Sequence, residues 1–137
     1  MNKTLGIIKP DAVAAGLTGA ILAIIEQNGF KICGMKMLRL SRPQAEGFYA
    51  VHRQKPFFSS LVNFMTEGPV VVLALEREDA VAKWRELMGA TDPAKAAEGT
   101  IRRRYATSIE RNCVHGSDSP ENADIELRFF FSTVELL

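Results

Sequence analysis

The chain has 137 residues, of which 17 are basic and 16 acidic, so its formal net charge at pH 7 is +1. A balance this close gives no general attraction to nucleic acid or to a membrane, and any anion site must be local. The two cysteines, Cys33 and Cys113, fit neither a disulfide framework nor a zinc pattern, and free thiols suit the reducing cytoplasm. We expect one cytoplasmic domain over residues 1–137, without a secretion signal or membrane span.

The first part of the chain predicts a strand, a helix and a second strand. A short apolar run over 4–8 ends at Lys9-Pro10, as expected of a central strand stopped by proline. Apolar residues at helical spacing over 17–25, followed by Asn28-Gly29, predict a helix with a glycine stop. Residues 30–40 then predict an amphipathic strand.

Two helices are predicted between residues 41 and 69. Ser41 and Gln44 have the spacing of a capping box, and the helix that they open would place Tyr49 and His52 on one face. Lys55-Pro56 ends this helix. Apolar residues at 57, 61, 64 and 65 predict the next one, which Gly68-Pro69 stops.

The second half predicts a buried strand, a helix, a long loop, a short strand and a last helix. Residues 70–75 are all apolar, which is typical of a strand in the middle of a covered sheet, and Trp84 marks one apolar helix face over 81–88. Over 91–112 the periodicity fades into a long loop, with a short fourth strand near 109–114. Asp118 and Glu121 predict the capped start of the last helix.

Residues 112–118 read Asn-Cys-Val-His-Gly-Ser-Asp and set His115 beside a glycine, just before a predicted helix start. A neutral imidazole has one ring nitrogen free to attack and one N–H to donate, and helix N-termini attract anions. This stretch resembles the active-site signature of nucleoside diphosphate kinases, in which the histidine is phosphorylated and passes the phosphate on. The resemblance extends over nearly all of the chain.

The element order suggests a ferredoxin-like βαββαβ fold of the α/β (α+β) class, with a four-stranded antiparallel sheet covered by helices in a single domain. Pattern alone also allows a doubly wound parallel sheet. The resemblance to the kinases favours the ferredoxin-like fold.

A phosphoryl-transfer site needs cations and oriented donors around the phosphates, and this chain offers them where the kinase family keeps them. The resemblance implies that His115 is the nucleophile, phosphorylated at its pros nitrogen, that Glu126 orients its ring, and that Tyr49 and Ser117 assist. It also implies six nucleotide-binding residues: Lys9, Arg85, Thr91 and Arg102 for phosphates, Asn112 for the sugar and Phe57 for the base.

The same resemblance implies the reaction and its partners. The γ-phosphate of a nucleoside triphosphate, mainly ATP, would pass to a nucleoside diphosphate in two half-reactions, with base stacking on Phe57 allowing broad specificity. No single cation balances a triphosphate, so Mg²⁺ is the natural complement, arriving on the nucleotide phosphates without direct protein ligands. The family is oligomeric, so we expect a homo-oligomer, either a tetramer or a hexamer.

Three alternatives stay open. Cys113 and His115 lie two apart and, in an extended segment, could pair as a thiol nucleophile and its base, although a buried cysteine is the simpler interpretation. The chain could bind ATP without transferring phosphate, as a regulator. The run Arg102-Arg103-Arg104 could bind nucleic acid, although three charges without a wider basic face are a weak indication, and nucleic acid is not the expected main partner.

Overall fold

The computed structural model describes residues 2–137. Its strands are β1 (Lys3–Ile8), β2 (Lys31–Leu38), β3 (Val70–Glu76) and β4 (Val114–Gly116). Its α-helices are α1 (Pro10–Ala14), α2 (Thr18–Gln27), α3 (Arg42–Phe48), α4 (Phe58–Met65), α5 (Ala80–Met88), α6 (Ile101–Tyr105) and α7 (Pro120–Phe130). Single 3₁₀ turns occur at Ala50–His52, Pro93–Lys95 and Thr133–Glu135. Within the described residues, no helix is both long and apolar enough to cross a bilayer.

The four strands form one sheet in the order β2-β3-β1-β4, and every neighbouring pair is antiparallel. This arrangement excludes the doubly wound parallel sheet and confirms the four-stranded antiparallel sheet covered by helices. The central strand β1 pairs on both sides, so Ile7 lies opposite Val72 of β3 and opposite His115 of β4. The sheet therefore places His115 one strand away from the end of β1, where Lys9 follows.

Helices cover both faces of this sheet. Alternate residues of β3 point to opposite sides: Val72 joins a core with residues of α3, α4 and α7, whereas Leu73 joins a core with residues of α2 and α5. Burial on both faces explains why β3 is apolar at every position from 70 to 75, as the sequence predicted.

The capping box at the start of α3 is present. Ser41 Oγ accepts a hydrogen bond from the Gln44 N–H at 3.3 Å, and Gln44 Oε1 accepts one from the Ser41 N–H at 2.9 Å. The prediction that Tyr49 and His52 share this helix is wrong, because α3 ends at Phe48 and the backbone of Tyr49 leaves the helical region with φ −96° and ψ 20°. His52 instead belongs to the following 3₁₀ turn.

The segment before β4 is more ordered than predicted. The loop over 91–112 contains a 3₁₀ turn and α6, whose cap is Thr100: its Oγ1 accepts from the Arg103 N–H at 3.3 Å. The predicted fourth strand exists, but its predicted start near 109 is wrong, because residues 107–111 form a turn in which the Thr107 N–H donates to the Arg111 carbonyl at 3.0 Å. The strand begins only at Val114, after this turn.

Two helix starts also differ from the prediction. Pro10 ends β1 as expected, but it also occupies the first turn of α1, a short helix that the sequence pattern did not predict. The cap of α7 is Ser119, whose Oγ accepts from the Asn122 N–H at 3.1 Å, and not Asp118. Asp118 Oδ1 instead accepts from the side-chain amide of Asn122 at 2.6 Å.

Candidate active site

His115 lies on β4, the short edge strand, where its backbone is held on two sides. It pairs with Ile7 of β1, and its carbonyl accepts a hydrogen bond from Trp84 Nε1 at 3.0 Å. The next residue must be glycine, since a Cβ at Gly116 would lie 2.5 Å from Trp84 Cδ1 and 2.6 Å from Met88 Cε. The missing side chain lets β4 pack directly onto α5.

A strained turn precedes this strand. Cys113 has φ 73°, in the left-handed region that non-glycine residues rarely occupy, and the Val114 N–H donates across it to the Asn112 carbonyl at 2.9 Å. Two hydrogen bonds from the start of α1 hold this strained backbone. Asp11 Oδ2 accepts from the Cys113 N–H at 3.1 Å, and the Lys9 N–H donates to the Cys113 carbonyl at 2.8 Å. Such strained residues cluster at functional sites.

A chain of hydrogen bonds holds the His115 ring from one side. His115 Nε2 lies 2.9 Å from Glu126 Oε1, and Ser117 Oγ donates to the same oxygen at 2.8 Å. Ser117 is fully buried, and its Oγ lies 3.4 Å from the Leu5 backbone nitrogen, which donates to it. A carboxylate only accepts hydrogen bonds, so the contact with Glu126 places the ring proton on Nε2 and leaves the lone pair on Nδ1.

The surroundings of His115 keep its ring neutral. Burial lowers the pKa of His115, and the positive charges of Lys9 and Arg102 act in the same direction, against the opposing hydrogen bond and charge of Glu126. Its side chain is 18% exposed. A neutral imidazole with a free Nδ1 lone pair can act as a nucleophile near pH 7.

Tyr49 lies against the same histidine. The two ring centroids are 6.4 Å apart at an interplanar angle of 86°, and the Tyr49 hydroxyl is buried without a hydrogen-bond partner among the described residues. Burial, and then the charge of Glu126, raises the pKa of Tyr49, so its hydroxyl keeps its proton. The His52 ring stacks on that of Tyr49, with 6.4 Å between centroids, and its centroid lies 5.5 Å from that of Phe57.

A cleft of about 310 Å³ is lined by four of the predicted nucleotide-binding residues, Lys9, Phe57, Thr91 and Asn112. Lys9 is 7% exposed, and its Nζ donates to Asn112 Oδ1 at 2.9 Å. Burial lowers the pKa of Lys9 to about 8, and the charge of Arg102 contributes to the shift. Phe57 is 47% exposed in the cleft, so its ring is not part of the core.

A second cavity of about 350 Å³ adjoins the first through Thr91, which lines both, and it contains Arg85 and Arg102. Arg102 is buried, and its guanidinium donates to three backbone carbonyls, those of Gly89 (2.9 Å), Asn112 (3.3 Å) and Val114 (2.8 Å). Burial, and then the charge of Arg85, lowers the pKa of Arg102 to about 10. Arg102 lies on α6, within the segment that the sequence predicted to be a long loop.

The chain matches the family model described as nucleoside diphosphate kinase over residues 2–136. It belongs to the nucleoside diphosphate kinase family. It is 58% identical over 137 residues to the nucleoside diphosphate kinase of Geobacter sp. (strain M21) and equally identical over 137 residues to that of Citrifermentans bemidjiense, and each alignment covers 100% of both chains.

Solved structures of nucleoside diphosphate kinases share the fold. The Aquifex aeolicus enzyme superposes with a TM-score of 0.97 at 45% identity, covering 99% of this chain and 99% of that chain. The Halobacterium salinarum enzyme, solved in complex with CDP, superposes with a TM-score of 0.95 at 41% identity, covering 100% of this chain and 92% of that chain. Nucleoside diphosphate kinases transfer phosphate in two half-reactions through a phosphohistidine.

The sequence missed several residues that shape this nucleoside diphosphate kinase site. Leu61, Ile109 and Glu110 line the cleft with Phe57, and Asp11 supports the Cys113 turn. Ile109 carried a usable signal, because it is an isolated apolar residue in a polar stretch and is 60% exposed. Leu61 and Asp11 carried none, since their roles depend on elements distant in the chain.

Two of the alternatives lose their support in the structure. Burial, and then the charge of Asp11, raises the pKa of Cys113 to about 12, so its thiol is not activated as a nucleophile. The three consecutive arginines do not share one surface: Arg102 is buried, whereas Arg103 and Arg104 are exposed, with Arg103 Nη1 donating to the Ala94 carbonyl at 3.2 Å and the Arg104 guanidinium 5.2 Å from the centre of the Tyr105 ring.

Proposed function

We propose that this chain carries the family reaction on His115, with Nδ1 as the attacking atom. The observation that supports this assignment is the 2.9 Å contact between His115 Nε2 and Glu126 Oε1. This contact leaves Nδ1 free, and no group within residues 2–137 forms a hydrogen bond to Nδ1. In this way the chain would move the γ-phosphate of a nucleoside triphosphate, mainly ATP, to nucleoside diphosphates.

The transfer needs no proton movement at the histidine. The Nδ1 lone pair forms the new P–N bond while the bond between the γ-phosphorus and the leaving diphosphate oxygen breaks, and the diphosphate leaves with its bonding pair. Nε2 keeps its proton, so the phosphorylated ring gains a positive charge, which the Glu126 carboxylate at 2.9 Å stabilises. The acceptor diphosphate then reverses the step, which gives ping-pong kinetics.

The predicted nucleotide-binding residues are suited to a phosphate chain. Lys9 Nζ has three N–H donors and uses one on Asn112, and Arg102 has five and uses three on carbonyls, so each keeps two for phosphate oxygens. The unpartnered Tyr49 hydroxyl is a further donor near His115. Thr91 and Arg85 complete the phosphate-binding group, with the sugar at Asn112 and the base stacked on Phe57.

Mg²⁺ fits this cleft as an ion carried by the nucleotide. Lys9, Arg85 and Arg102 would supply three charges against the four of a triphosphate, and a divalent cation carried by the nucleotide would balance the remainder and stabilise charge during transfer. Glu110 is the carboxylate that lines the cleft, and it already accepts a hydrogen bond from Ser60 Oγ at 2.8 Å.

We also propose that the chain forms a homo-oligomer, a tetramer or a hexamer, and works in the cytoplasm. Met35 and Met37 are 55% and 62% exposed on β2, an edge strand of the sheet, which supports contact with another copy. Sedimentation equilibrium at micromolar concentration tests this, and a monomer would contradict it. The two free thiols, Cys33 and Cys113, suit a reducing compartment.

The test of the reaction is labelling with ATP that carries a radioactive γ-phosphate, without acceptor. We expect acid-labile, base-stable label on the wild type and on His52→Asn, which removes the other histidine, but none on His115→Asn. Adding a nucleoside diphosphate should discharge the label. A folded, ATP-binding wild type that takes no label would favour the regulator hypothesis.

A further inference from the structure

Phe48, the last residue of α3, is the centre of an aromatic cluster that reaches His115. Its ring centroid lies 4.9 Å from that of Tyr49, 5.0 Å from Phe130, and 5.4 Å from both Phe129 and His115. The Phe48 and His115 rings meet at an interplanar angle of 71°, which is the edge-on arrangement that aromatic pairs favour. Within this cluster, only Phe48 and Tyr49 touch the imidazole among the described residues.

The hydrogen bond to Glu126 cannot by itself orient the His115 ring. The hydrogen bond at Nε2 and the Cβ–Cγ bond still allow small rotations of the ring, which would move Nδ1 out of line with an incoming phosphorus. Aromatic contacts on the ring limit these rotations, and Phe48 supplies the nearer one, at 5.4 Å between centroids against 6.4 Å for Tyr49. Helix α7 supports both the hydrogen bond and this contact, because Glu126 and Phe130, which packs on Phe48, lie four residues apart on one face of that helix.

The cluster also gives the histidine an apolar neighbour on one side. A phosphohistidine is lost when a water oxygen attacks the phosphorus: a P–O bond forms, the P–N bond breaks with its electrons returning to Nδ1, and both water protons leave on the inorganic phosphate. An aromatic side wall offers no hydrogen bond to hold such a water. Phe130 is 9% exposed behind Phe48, so the wall continues into the core.

Building on the proposed function, we propose that Phe48 is a positioning residue: its ring holds the His115 imidazole with Nδ1 towards the cleft and keeps water from the phosphohistidine. Phe48 itself touches the histidine and not the nucleotide. Its loss should therefore change kcat and the lifetime of the phosphoenzyme, and change the KM for nucleotides little.

The experiment compares Phe48→Leu with Phe129→Leu. Both remove one ring from the same cluster, but Phe129 does not touch His115 and is 45% exposed. The labelled phosphoenzyme is freed of nucleotide and its loss of phosphate followed over time. We expect Phe48→Leu to hydrolyse roughly tenfold faster and to lower kcat by a similar factor, Phe129→Leu to remain within about twofold of wild type, and Phe48→Tyr, which keeps a ring, to restore most of both. Equal effects of the two leucine variants would overturn the proposal, because they would show a structural role only.

Exchange of the His115 Nε2 proton with water, followed by NMR, gives a second measurement that requires no phosphate. We expect slow exchange in the wild type and faster exchange in Phe48→Leu. Fast exchange in the wild type would overturn the proposal even if the variant did not fold. If the wild type took no label, the proposed function would fail, whereas proton exchange would still decide whether Phe48 shields the ring.

Discussion

The side chain of Asp11 accepts a 3.1 Å hydrogen bond from the backbone N–H of Cys113, and so joins the first helix to the strained turn ahead of His115. The two residues lie 102 positions apart in the chain. Because a left-handed non-glycine residue is unfavourable by about 1–3 kcal/mol, the surrounding structure must hold it. Asp11, in α1, and Lys9, the residue before that helix, do so with hydrogen bonds to the Cys113 backbone.

The Cys113 thiol should be almost inert in the folded protein. Burial, and then the charge of Asp11, raises its pKa to about 12, so near pH 8 the thiolate is far scarcer in the folded protein than in the unfolded chain. Alkylation followed by peptide mass spectrometry should modify Cys113 slowly in buffer and quickly in denaturant. Asp11→Asn removes the neighbouring charge and should speed the modification, whereas Asp124→Asn, on the exposed face of α7, should leave it unchanged. Alkylation of the native protein at the denatured rate would contradict this account.

Gly116→Ala should destabilise the fold. The added Cβ would lie 2.5 Å from Trp84 Cδ1, within the packed core between β4 and α5, so one of them must shift. We expect the free energy of unfolding to fall by about 1–3 kcal/mol, measured by denaturant titration. Gly19→Ala is the matched control: it lies in α2 with no atom within 4 Å of the added Cβ, and alanine should raise the free energy of unfolding by about 0.5–1 kcal/mol. A Gly116→Ala protein as stable as wild type would show that β4 can move away from α5.

Nucleotide binding should weaken as the pH rises through about 8. Burial and Arg102 lower the pKa of Lys9 to that value, so above it the free protein loses a positive charge from the cleft. A bound phosphate favours the charged form, so the fall in kcat/KM should appear near pH 8 and the fall in kcat at higher pH. Steady-state rates from pH 6 to 10 measure both. The arginine of Lys9→Arg stays charged in this pH range. The KM of this variant should therefore not rise near pH 8, whatever KM the variant has at neutral pH.

The lowered pKa of Lys9 also makes the free energy of unfolding depend on pH. The pKa of Lys9 is lower in the folded chain, so between pH 8 and the ordinary lysine value of 10.5 the unfolded chain binds more protons. The contribution of Lys9 to the free energy of unfolding therefore rises with pH across this window. In a denaturant series, the free energy of unfolding of the wild type should rise relative to that of Lys9→Met as the pH increases across this window. A constant difference between the two would mean that Lys9 does not titrate there.

Local patterns predicted much of the fold correctly. The capping box of Ser41 and Gln44 is present as predicted, because its two hydrogen bonds join residues three apart. The fully apolar β3 is central, because burial on both faces leaves no polar position. In contrast, the position of β4 could not be predicted, since Cys113 takes a left-handed backbone only with support from Asp11 and Lys9.

The sequence by itself determined the family, through the residues from Asn112 to Asp118 and the cations at matching positions, because chemistry requires particular residue types in a short span. The resemblance implied attack by the pros nitrogen of His115, but only the tertiary structure shows the contact with Glu126 that leaves this nitrogen free, since that contact depends on how α7 packs on the sheet. It also decided that Phe48, which no motif contains, lies against that ring. Contacts between residues far apart in the chain arise from packing, and no local spacing encodes them.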